Sequence, residues 1–174
     1  MTPELMEEYK KELLENIQAE MKDEGKVSPF MQIIGEKEGI DKPVIIHIVT
    51  EFNDADSKDF FIEEVIPEIS RKLKKNQITP HQIVFVSEVW VTTIDKKTDE
   101  SKKEEAILIA YSSEDGETME AYDIIRHAYE VDDKGELSSK VDLVKNEDLS
   151  SENKLSSEGR FSNLYATLMK QFNK

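Results

Sequence analysis

The amino-acid sequence predicts an α+β protein. Its mainly antiparallel sheet, a meander of three long strands plus an N-terminal strand pair, is packed by two or three helices. Three observations carry that expectation. Residues 81–95, 104–113 and 117–131 (HQIVFVSEVWVTTID, EEAILIAYSS and ETMEAYDIIRHAYEV) are rich in β-branched and aromatic side chains, which suit a pleated, half-buried surface. Polar linkers separate them, and one contains Asp115-Gly116, a strong signal for a tight hairpin. Both ends of the chain instead repeat their apolar residues at helical spacing.

The 174 residues suit one domain, 1–174, with room for a hydrophobic core. Within it the expected order is an N-terminal helix over 1–25, a helix-and-sheet core over 29–131, a polar surface excursion over 132–157 and a C-terminal helix over 158–173. In the first helix Thr2 is placed to cap and Pro3 to occupy the first turn. Leu5, Tyr9, Leu13, Ile17 and Met21 then recur every four residues, with Met6 and Leu14 widening the stripe, and Gly25 marks the end. PFMQIIG (29–35) and PVIIHIVTEF (43–52) read as two strands joined by the polar turn EKEGIDK, a hairpin.

A second helix follows, capped by Asp56 or Ser57, with Phe61, Ile62, Val65, Ile66, Ile69 and Leu73 as its apolar residues. Pro67 lies inside it. Proline lacks the N–H for residue 63 and crowds the preceding turn, so a kink is expected there. Arg71, Lys72, Lys74 and Lys75 at its end oppose the helix dipole favourably, a structural role that outranks a phosphate-binding patch. After the three long strands the chain becomes polar, with a short strand expected at 141–144. Phe161, Leu164, Tyr165, Leu168, Met169 and Phe172 then fall on one helical face, which must dock on the chain's own sheet or on a partner.

Composition narrows the chemistry. There is no cysteine, which excludes disulfides, thiolate metal sites and cysteine nucleophiles and fits a reducing compartment. The N-terminus lacks a secretory h-region and no apolar run approaches a bilayer span, so cytoplasm is the expected location, with no membrane partner. The formal charge of -15 disfavours direct nucleic-acid binding, which rests on phosphate attraction. Residues 104–148 hold 14 carboxylates against four basic side chains. That excess reads as a solvated surface, a patch for a basic partner, or a mimic of nucleic-acid charge.

Motif-borne catalysis is not visible. GxGxxG, GxxxxGK[ST] and HExxH are all missing, and His47, His81 and His127 lack metal-ligand spacing, so neither cofactor nor metal is expected. Ser87 sits mid-strand without the sharp turn a serine nucleophile uses. EDGE (114–117) and DDKGE (132–136) lack the twelve-residue calcium-loop spacing and read as turns.

Strand alternation supplies one constellation. Val84, Val86, Glu88, Trp90, Thr92 and Ile94 share one face of the 83–94 strand, and Ile83, Phe85, Ser87, Val89 and Val91 share the other. Both faces look apolar, so the strand is expected to be central, leaving Glu88 as an embedded carboxylate in need of a partner. Arg126 is a natural candidate, with Trp90, Tyr111 and Tyr122 as neighbours, either as a structural ion pair or as a ligand or partner contact. Asp123 and His127 lie about 13 Å apart along an extended strand, too far for a dyad.

Two kinds of function are therefore expected, with a third behind them. The first is a non-enzymatic interaction or regulatory protein, engaging a basic protein or self-associating through the C-terminal helix. The second is a small-molecule-binding domain or enzyme with a pocket around Glu88 and Arg126. The third is a nucleic-acid mimic acting on a basic protein.

Overall fold

The computed structural model describes residues 2–50, 55–94, 101–127, 130–131, 135, 137–138, 140–147 and 163–174. Helix α1 (Pro3–Glu24) is followed by strands β1 (Phe30–Lys37) and β2 (Val44–Val49). Helices α2 (Ala55–Phe60) and α3 (Ile66–Lys75) flank a π-helical turn, Phe61–Val65, without a break between them. The long strands are β3 (Ile78–Ile94), β4 (Ser101–Ser113) and β5 (Gly116–Arg126). A two-residue pair, β6 (Glu130–Val131) and β7 (Leu137–Ser138), precedes β8 (Val141–Lys145) and helix α4 (Leu164–Phe172).

Six strands form one antiparallel sheet in the order β2-β1-β3-β4-β5-β8. The expected meander is its middle, the expected N-terminal pair extends it on one side, and the expected short strand closes it on the other. The chain groups into two compact units, neither of them contiguous in sequence. One takes Met1–Val27, Ser87–Leu108 and Glu120–Ser150; the other takes Ser28–Val86, Ile109–Met119 and Ser151–Lys174.

In the first unit, α1 forms as its sequence dictates. Thr2 Oγ1 accepts the Leu5 N–H at 3.4 Å, Pro3 occupies the first turn, and Gly25 ends the helix at φ 74°, a left-handed conformation that glycine adopts without a Cβ clash. Tyr9, Leu13, Ile17 and Met21 are buried, one per turn, whereas Leu5 is exposed. Gln18 Nε2 donates to the Val141 carbonyl at 2.6 Å, fastening α1 to β8. β8 pairs with β5 from Tyr122↔Lys145 to Arg126↔Val141. Residues 132–134, 136, 139 and 148–157, most of the expected polar excursion, lie outside the described residues, as do 95–100 and Phe161.

In the second unit, β1 pairs antiparallel with β2 from Phe30↔Val49 to Gly35↔Val44 and, on its other side, with β3. The β1–β3 register slips at Ile34/Gly35, so that His81 is passed over and Gly35 faces Pro80. That bulge lets β3 begin at Ile78, earlier than expected, because Pro80 has no N–H to contribute to a regular ladder. Met31, Ile33, Phe61, Ile66, Leu73, Ile78, Ile83, Leu164, Tyr165 and Leu168 form one buried cluster. The apolar face of α4 thus docks within its own unit. Tyr165 Oη donates to the Pro80 carbonyl at 3.3 Å, and Lys74 Nζ lies 5.7 Å from the Phe172 ring centre.

The second helix differs from expectation in two ways. It begins at Ala55, so Asp56 and Ser57 sit within its first turn rather than capping it. The disturbance expected from Pro67 takes the form of the π-turn just before it: the Ile66 N–H reaches back five residues to the Phe61 carbonyl. The wider turn relieves the crowding that a proline ring imposes on the carbonyl four residues earlier.

Candidate functional site

Of the five residues singled out from the sequence, Glu88, Trp90, Tyr122 and Arg126 belong to the first unit. The Glu88 carboxylate is half-buried, and its Oε2 accepts the Val27 backbone N–H at 3.2 Å. Arg126 instead donates through Nε to Glu105 Oε2 at 3.1 Å, an exposed pair of the kind that contributes little. Trp90 is 58% exposed, with Lys103 Nζ 4.9 Å from its ring centre. Tyr122 is buried and donates to Glu120 Oε2 at 3.1 Å, while Lys10 Nζ meets Glu120 Oε1 at 2.9 Å. Burial, seconded by the Glu120 charge, pushes the Tyr122 phenol well above the ordinary tyrosine range. Tyr111 is buried and belongs to the other unit.

The acidic 104–148 segment is interleaved with cations where it is described. Glu105 meets Arg126, Glu120 meets Lys10, and Asp142 meets His127 at 2.7 Å and Lys140 at 3.6 Å. Among the described residues, no group of three or more histidine, aspartate or glutamate side chains is placed to hold a metal ion.

A different place has the shape of a site. In the second unit, an apolar groove of about 600 Å³ runs between β2 and the α2–α3 helix. Ile46 and Ile48 form one wall, Phe60, Val65 and Ile69 the other, and Leu73 and Ile78 are buried beneath. Glu64, Glu68, Lys72 and Asn76 provide its polar rim. Glu68 is held by Arg71 at 2.6 Å and by Lys72 at 3.9 Å, and Asn76 Nδ2 closes the helix end on the Lys72 carbonyl at 2.8 Å. Phe60 is 61% exposed, a large apolar side chain standing at the mouth.

The strand beside this groove is the last of the sheet. Thr50 N–H donates to the Pro29 carbonyl at 3.0 Å, and these two residues continue the Phe30↔Val49 register. Directly opposed residues of an antiparallel pair alternate between exchanging hydrogen bonds and exchanging none. Val44, Ile46 and Ile48, in phase with Thr50, therefore turn their backbone groups toward β1. Ile45, His47 and Val49 turn theirs toward the open edge, where no described strand follows β2.

The side chains of these three residues are exposed on the face away from the helix: Ile45 by 45%, Val49 by 64%, and His47 beside Phe30, ring centres 4.7 Å apart. The strand VIIHIV carries no lysine, glutamate or proline, the residues with which sheet edges are ordinarily protected.

No family model, curated protein or solved structure matches this chain. Its geometry is therefore the whole basis for a functional reading. The sequence marks Val65, Ile69 and Leu73 only as apolar residues of a helix, and Ile46 and Ile48 only as residues of a strand. The available signals were an apolar helix stripe too wide for one buried face, Phe60 to Leu73, and a strand without charge on either side.

Proposed function

We propose that this chain is a non-enzymatic interaction module that holds a basic partner protein on the groove and open edge of β2. One observation carries the reading: a terminal strand without lysine, glutamate or proline presents backbone groups that pair with no strand among the described residues, alongside an apolar groove. Soluble proteins rarely leave such an edge undefended unless something covers it. The net charge of -15 favours encounter with a positively charged partner. The cations threaded through residues 104–148 favour this groove, rather than a continuous acidic face, as the docking surface.

A second reading, a site for an apolar small molecule, draws on the groove volume, which falls in the usual range for such sites. A photo-reactive amino acid placed at Phe60, and at exposed Lys11 as control, separates the two in the cells that make the protein. The interaction reading expects a protein adduct of one mass at position 60, absent at position 11 and lost when Ile69→Arg is added to a chain that stays folded. The same adducts at both positions would overturn it. So would native mass spectrometry showing a retained small molecule that Ile69→Arg expels.

A further inference from the structure

The geometry points to a specific occupant: an extended segment of the partner that pairs with β2 as a seventh strand, with aliphatic side chains at alternate positions and a lysine or arginine at one end. This rests on the interaction reading above and adds how the partner is recognised. Ile45, His47 and Val49 offer three N–H donors and three carbonyl acceptors on the open edge, enough for a short antiparallel ladder.

Cross-strand partners share a sheet face. Residues of the added strand opposite Ile46 and Ile48 would therefore point to the helix side, into the groove walled by Phe60, Val65 and Ile69. Their spacing along the strand, about 6.8 Å for alternate residues, repeats that of Ile46 and Ile48 themselves. The intervening residues would lie with Ile45, His47 and Val49 and need not be apolar.

Charge sets the ends. The helix that forms the groove wall is acidic near its start, at Asp56, Asp59, Glu63, Glu64 and Glu68, and basic near its end, at Arg71, Lys72, Lys74 and Lys75. Lys58 is the one cation in the acidic half. Of these charged residues, Glu64 and Lys72 stand at the groove, so a bound segment is best matched with its cation beside Glu64 and an uncharged or acidic residue beside Lys72. A second copy of this chain fits less well, because β2 has no cation of its own and each copy carries -15.

The test uses the full chain and three eight-residue peptides. The first alternates valine and isoleucine with threonine between a lysine at one end and a glutamate at the other. The second exchanges those two ends. The third N-methylates the amides that would face β2. NMR titration and amide hydrogen exchange are the readouts.

The first peptide is expected to shift the methyl signals of Ile46, Ile48 and Ile69. It should slow exchange at Ile45, His47 and Val49 by at least about tenfold at saturation, with Ile46 and Ile48 amides unchanged. N-methylation should weaken binding by about tenfold or more, and exchanging the ends by roughly threefold at low salt.

Groove methyl shifts without edge protection or an N-methyl penalty would overturn strand addition while leaving a docking groove intact. Failure of the first peptide at millimolar concentration would also overturn it, and the crosslink at Phe60 then decides separately whether the groove holds a protein at all. Edge protection that instead follows protein concentration, with sedimentation showing a dimer, would identify a second copy as the occupant and overturn the inference.

Discussion

Replacing Gly35 by alanine tests how closely β1 and β3 must approach. A Cβ at this position would lie 2.6 Å from the Thr79 carbonyl oxygen, 3.0 Å from Ile78 Cγ2 and 3.2 Å from the Thr79 carbonyl carbon. The nearest atom is backbone, so no rotamer change clears it. Restoring contact to 3.4 Å means opening the strand pair by about 0.8 Å at the bulge. Overpacking of this kind costs about 1–3 kcal/mol. The less flexible unfolded chain of the alanine variant returns about 0.4–1 kcal/mol.

The net expectation for Gly35→Ala is about 1–2 kcal/mol of lost stability, a fall of about 0.5–1 M in the urea midpoint by far-ultraviolet circular dichroism. Gly35→Val should lose more. Because Ile78 also lines the groove, the same substitution should weaken binding there. A Gly35→Ala midpoint equal to or above that of the parent chain, with Gly35→Val no worse, would refute the close approach as the reason for glycine.

Ser70 is 2% exposed and its Oγ has no hydrogen-bond partner among the described residues, so Ser70→Ala should gain about 1 kcal/mol; a lower urea midpoint would show that the hydroxyl is satisfied. Leu168, fully buried at the α4 contact, should cost about 2–5 kcal/mol when cut to alanine, whereas exposed Lys170→Ala should stay within about 0.5 kcal/mol, both read from the same urea curves.

Burial raises the Tyr9 phenol, and burial with the Glu120 charge raises that of Tyr122, so the folded chain holds these protons more tightly than the unfolded one. Their contribution to stability is full below about pH 10 and declines as pH rises beyond it, by about 1.4 kcal/mol per pH unit for each phenol. Tyr9→Phe should flatten the fall in denaturation midpoint above that pH, and an unchanged slope would count against the raised phenol.

What was legible in the sequence was mostly local. Thr2, Pro3, the four-residue apolar spacing and Gly25 define α1 from end to end, and Asp115-Gly116 marks the β4–β5 hairpin. The alternation of 83–94 predicts which residues share a face. It could not give what lies across from them, because neighbours in a sheet depend on strand order and register. Arg126 consequently meets Glu105 while Glu88 meets the backbone of Val27. The groove was illegible for a related reason: half-buried Val65 and Ile69 carry the same periodic signature as buried Ile66 and Leu73. Periodicity reports a stripe, not whether a second layer covers all of it.

The π-turn at Phe61–Val65 gives the groove an unusual genetic vulnerability. Such a turn holds one residue more than an α-helical path would, and each residue of an α-helix advances the chain about 100° around the axis. Losing a single codon within 61–65 would remove the extra residue and rotate Ala55–Phe60 by about that angle, while bringing back the crowding of Pro67 against the preceding turn. Phe60 would leave the mouth of the groove, although every side chain of the wall except the deleted one would still be encoded. Point substitutions can only erode this wall one side chain at a time; an in-frame deletion would turn part of it away at once.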